Sequence, residues 1–154
     1  MTSPRQGNKS RTNAKFTEFW LDDSGGTLTD LSLYANNVGT VGLTFEEQDV
    51  TAYKDDVKNF TIGRPDAPIQ VVFKNDTVVF AHLIALNHVT PLSLDVRFGI
   101  RQSPQVTGEP CFGISSSATS GYLFKDMTMT DTEITATFSV FGKTAPGYAV
   151  TNHV

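Results

Sequence analysis

Cysteine is nearly missing from this 154-residue chain: there is one, Cys111. No intramolecular disulfide is possible, so the fold does not rest on an oxidising compartment. Charge is also sparse, with 18% Asp, Glu, Lys and Arg against about a quarter in ordinary soluble domains. A low charged fraction suits a surface largely covered by partners. Long apolar runs are absent, and nothing approaches the roughly 18 residues needed to span a bilayer. No apolar stretch follows Met1–Gly7, so no secretory signal is expected. Phosphate-cradling glycine loops, dinucleotide fingerprints and serine elbows are lacking as well.

The remaining chemistry is thin. Cys111 lies beside Pro110 with no motif around it, which suits a small buried residue better than a thiol nucleophile. His82 and His88 are six residues apart, roughly 240° around a helix, so they share no face for a metal. The pairs Asp22-Asp23, Glu46-Glu47 and Asp55-Asp56 sit in no calcium-loop pattern and read as solvated turn residues. No nucleophile–base pair can be named. The expectation is a protein that is not an enzyme and carries no catalytic, cofactor or metal residues.

What the sequence does have is an uneven distribution of charge. Residues 1–15 hold Arg5, Lys9, Arg11 and Lys15 and no acid, while the rest of the chain has eight basic and sixteen acidic residues. A +4 arm on a −8 body suits an arm that docks on the acidic body of a neighbouring copy, with a solvated tail as the plainer reading. The arm has no interleaved aromatics, which argues against nucleic-acid binding.

It also has alternation. Leu92, Leu94, Val96, Phe98 and Ile100 alternate with polar residues or glycine, and Ile134, Ala136, Phe138 and Val140 alternate with Glu133, Thr135, Thr137 and Ser139. Both read as strands with one face on the core. Lys15–Asp22, Thr27–Tyr34, Val41–Glu46, Pro68–Lys74 and Tyr122–Thr130 read as further strands, with Asp131-Thr132 turning Tyr122–Thr130 back into the last one. Asn36-Asn37 and Gly39 mark a loop. Thr77–His88 is the one convincing helix, with N-cap oxygens from Asn75-Asp76 and a stripe of Val79, Phe80, Leu83 and Ile84. Asp49–Gly63 has no clean period and reads as a long loop of the kind that binds partners. The class expected is mainly β, a β-sandwich or barrel with one flanking helix. Residues 1–13 form a basic arm and 14–154 a single β-sandwich domain. The two alternating strands are expected to need neighbouring copies to complete their surfaces.

The order of motifs resembles the tail tube (major tail) protein family of long-tailed bacteriophages. Leu21–Ser32 (LDDSGGTLTDLS) resembles its opening strand, turn and D-[IL]-S segment. Asp49-Val50-Thr51 with Lys58–Gly63 is similar to its DVT…F-x-x-G loop, and Ile134–Thr144 to its closing alternating strand. A glycine-rich phrase usual after the position of Val41 is missing, with only Gly39 and Gly42 there. The resemblance implies a β-sandwich with a flanking helix, hexameric rings stacked around a lumen, and residence in a virion. DNA would pass without specific binding, and no membrane is involved. Arg5, Lys9 and Arg11 of the arm, with Tyr53 and Phe60 of the loop, are the expected interface residues. Asp95, Arg97 and Arg101 are expected at the lumen or a subunit interface. Capsid decoration and head–tail joining proteins reuse the fold and stand as the alternative. A carbohydrate- or host-binding β-sandwich is a reading from another class.

Overall fold

The computed structural model describes residues 17–99 and 109–150. Eleven strands and one helix follow in chain order: β1 (Glu18–Asp22), β2 (Leu28–Asp30), β3 (Ala35–Asn37), β4 (Thr44–Asp49), β5 (Phe60–Asp66), β6 (Ile69–Lys74), α1 (Thr77–Ile84), β7 (Leu94–Arg97), β8 (Cys111–Ile114), β9 (Ser120–Met129), β10 (Glu133–Gly142) and β11 (Gly147–Ala149). The chain is mainly β with one helix among the described residues.

Two antiparallel sheets enclose the core. One has the order β11-β8-β7-β1-β2 and the other β3-β6-β10-β9. Their facing sides are set by residue alternation. Phe19 and Leu21 of β1 point inward, as do Ile69, Val71 and Phe73 of β6 and Ile134, Ala136 and Phe138 of β10. The Phe19 ring meets the edge of Phe73 at 5.6 Å between centroids and lies 6.4 Å from Phe138, so aromatic contacts bridge the sheets. At one corner the sheets are stitched together: Leu92 and Tyr122 exchange two backbone hydrogen bonds, at 2.7 and 3.0 Å. The Tyr122 hydroxyl, fully buried, donates to the Ala67 carbonyl at 2.8 Å. The sandwich is therefore closed on one side in the manner of a barrel.

The alternating segments β6 and β10 and the β9–β10 hairpin lie where the sequence places them. Several other expectations need correction. The helix stops at Ile84 rather than His88. The Asn87 side chain accepts hydrogen bonds from the backbone of Val89 and Thr90, a local turn that competes with another helical turn. Thr27–Tyr34 is extended only over Leu28–Asp30, and Asn36-Asn37, expected to mark a loop, belongs to β3, which pairs with β6. The third strand begins at Thr44 rather than Val41. Asp49–Gly63, expected as a long loop, is one over residues 50–59 and returns as β5 from Phe60.

The ten-residue alternation from Leu92 shortens to a four-residue strand whose polar residues are buried as well as its apolar ones. Ser93 donates its backbone N–H to Asp22 Oδ2 at 3.1 Å, and Asp22 Oδ1 accepts from Gly26 N at 3.0 Å. One buried carboxylate thus ties the β1–β2 turn to the entry of β7. Neither alternating strand needs another copy to complete it: β7 lies between β1 and β8, and β10 lies between β6 and β9.

Candidate assembly surface

Strands β4 and β5 form a two-stranded sheet that joins neither of the others. Every residue of β4 is exposed, and in β5 only Gly63 is partly covered. A two-stranded ribbon with both faces wet is marginally stable on its own, so its sequence should show what holds it.

At the tip the answer is side-chain chemistry. Val50 N donates to Asn59 O at 2.9 Å, and Asn59 N donates to the Thr51 hydroxyl at 2.8 Å. Asp49 accepts from Thr51, whose hydroxyl and backbone N–H hold its carboxyl below the ordinary aspartate value of 3.8. Asp55 is lowered in the same direction by the backbone N–H of Ala52 and then by the Asn59 side chain. At the root, the Tyr148 hydroxyl of β11 accepts from Leu43 N at 2.9 Å. The C-terminal strand thus anchors the ribbon's base.

The register divides the ribbon into two unlike faces. Phe45 pairs with Pro65, Glu47 with Ile62 and Asp49 with Phe60, and directly opposed residues share a side. One face therefore carries Phe45, Ile62, Phe60 and Pro65 with two carboxylates. The other carries Glu46, Gln48, Thr61 and Gly63. A register shift between Phe45 and Glu47 keeps the apolar residues together. Phe45 is 50% exposed, Phe60 51% and Ile62 68%, while Tyr53 at the tip is fully exposed. From Thr44 to Asp66 there are six acidic and three basic residues.

Beside the root lies an apolar groove of about 550 Å³ lined by Val41, Phe98, Phe112, Tyr148 and Val150 among others. Its floor is the buried Phe112, whose ring centroid is 5.2 Å from that of Tyr148.

Of the expected interface residues, Tyr53 and Phe60 both stand on this ribbon. Arg5, Lys9, Arg11 and Arg101 lie outside the described residues. Asp95 and Arg97, expected at a lumen or a subunit interface, are buried within the chain itself. Asp95 is completely buried and Arg97 nearly so, with Arg97 Nε donating to Asp95 Oδ2 at 2.7 Å. The Arg97 guanidinium sits 4.3 Å from the centre of the Trp20 ring. Desolvated, paired and stacked, these groups belong to the chain's own interior. Cys111 is likewise interior; burial pushes its thiol up to about 11. His82 Nε2 and His88 Nδ1 bond to different backbone carbonyls, those of Asp22 and Phe124.

Sequence reasoning missed Phe45, Ile62 and Tyr148. A lone Phe among TFEEQD gives no apolar alternation on its own strand. It becomes a face only when β5 lies beside it.

No protein-family model and no curated protein matches the sequence. Among solved structures, the fold is similar to a chain of the anti-feeding prophage (AFP) baseplate, a cryo-EM structure with 6-fold symmetrisation. The TM-score is 0.61 at 10% identity, covering 97% of this chain and 99% of that chain. The described architecture is therefore one that a phage-related baseplate also uses, matched along almost the whole of both chains.

Proposed function

We propose that this protein is a non-enzymatic structural subunit of a phage-tail-type particle, a tail-tube protein that closes into hexameric rings. The rings stack around a channel for DNA, within a virion, alongside other virion proteins. The observation that carries the reading is the β4–β5 ribbon, exposed on both faces and apolar on one, extending from an otherwise completed sandwich. The fold's likeness to a baseplate chain supports the same class of particle.

Magnitudes favour the apolar face as the driver of assembly. Fully burying an exposed side chain of this size stabilises by about 1.5–3 kcal/mol, and Phe60 at 51% and Ile62 at 68% exposure can still gain roughly half to two thirds of that. An exposed ion pair contributes about 0–1 kcal/mol. The ribbon's carboxylates and the basic residues of 1–15 then set orientation and association rate more than affinity. Tyr53 and Phe60 are the anchors, since aromatic residues dominate interface energetics. The acidic balance of residues 16–154 disfavours adhesion to phosphate, so DNA passes without being held.

Electron microscopy of the purified chain tests this directly. Six-fold rings or tubes are expected. A protein that remains monomeric at high concentration and binds only to preformed capsids would instead favour a decoration role.

A further inference from the structure

Resting on the assembly role just proposed, we infer that the apolar face of the β4–β5 ribbon seats in the groove beside Tyr148 and Val150 of a second copy of this chain. Both halves of such a joint are present on one molecule. The ribbon offers Phe45, Phe60 and Ile62 in one row, with Tyr53 and Val57 toward its tip, all exposed. The groove is apolar, and Tyr148 and Val150 at its rim are 67% and 61% exposed.

Sizes match. A cavity of about 150 Å³ holds one benzene ring, so the 550 Å³ groove has room for more than one aromatic side chain. Aromatic side chains bury about 150–250 Å². With the exposures of Phe45, Val50, Tyr53, Val57, Phe60 and Ile62, the ribbon can withdraw on the order of 600 Å² of apolar surface from water. A stable interface buries about 800 Å² per partner, so the ribbon supplies most of one side.

Polar groups match too. The Tyr148 hydroxyl accepts from Leu43 N and keeps a proton to donate. Glu47 and Asp49 share the apolar face and can receive it.

Among the described residues, none fills the seat. The ribbon's apolar face is exposed although the groove lies at its own root, where Tyr148 bonds Leu43. A ribbon and a groove are unlike surfaces, so their union is head-to-tail, and repeating it gives rings or filaments rather than a closed pair.

Disulfide trapping between two singly substituted chains tests the joint. Ile62→Cys and Val150→Cys are each made in a Cys111→Ser background, since Cys111 lines the same groove, and the two chains are mixed under a mild oxidant. The mixture should yield linked pairs roughly tenfold or more above either variant alone, because docking raises the effective thiol concentration. A second variant, Val150→Glu, should remain folded by circular dichroism yet lose ring or tube formation.

Wild-type rings with no linked pairs, together with normal assembly of Val150→Glu, would overturn the groove while leaving the structural role standing. Linkage between two Ile62→Cys chains instead would show ribbon meeting ribbon and also overturn it. Should the wild-type chain form no rings, the structural role falls. Trapping in concentrated solution then decides the groove separately, and an absence of linked pairs there refutes it.

Discussion

At the scale of single residues, the fold depends on a few groups whose replacement has a calculable sign. Gly142 has φ +102, and a Cβ there would lie 1.7 Å from the Thr119 carbonyl oxygen. Gly142→Ala combines backbone strain of about 1–3 kcal/mol with a clash against main chain, and should lower the thermal midpoint by many degrees. Tyr122→Phe removes one hydroxyl and leaves the Ala67 carbonyl without its buried donor. A loss of about 1–3 kcal/mol in urea unfolding is expected. Arg97→Ala removes the guanidinium that donates to the fully buried Asp95. Breaking a buried pair from one side costs about 3–5 kcal/mol, so this variant should be less stable than Tyr122→Phe while its assembly surface is untouched. A merely wet, luminal Arg97 would show almost no loss.

At the scale of elements, the hairpin tip has a pH dependence with a definite direction. Asp49 and Asp55 are held below their ordinary value of 3.8 by hydrogen bonds from Thr51, and from Ala52 and Asn59. A depressed carboxyl contributes its stabilisation above the unfolded pKa and loses it as pH falls through the folded one. Protection of the Thr51 and Ala52 amides, measured as exchange relative to an unstructured amide at the same pH, should therefore hold down to about pH 4 and fall below it, with β6 and β10 still protected. Uniform loss of protection across all three would contradict a local tip structure.

Legibility also varies by element. Strands β6 and β10 could be read because each has one face on the core, so apolar residues recur every second position. Strand β7 carries the same pattern but buries both faces, and alternation alone cannot report what lies over the polar side. That is why Asp95 and Arg97 looked outward. The ribbon is the opposite case: with no core beneath it, only the start of β4 was legible, within Val41–Glu46, and β5 had no period to show. The exposure of Tyr53 and Phe60 was still legible, because aromatics in an aperiodic, acidic stretch have no interior to serve. Phe45, Ile62 and Tyr148 emerged only from cross-strand register and from a hydrogen bond spanning 105 positions in sequence.

At the scale of the whole molecule, a completed sandwich carries one element it does not need for its own core. Thr44 and Asp66 pair across the ribbon's base, so residues 45–65 can be replaced by an Asn-Gly turn without opening either large sheet. Sedimentation velocity of the full chain beside this shortened chain, over a range of concentrations, tests the claim that the ribbon drives assembly. The expected result is large, concentration-dependent species for the full chain and a folded monomer for the shortened one. Equal sedimentation of the two, whether both assemble or neither does, would contradict it.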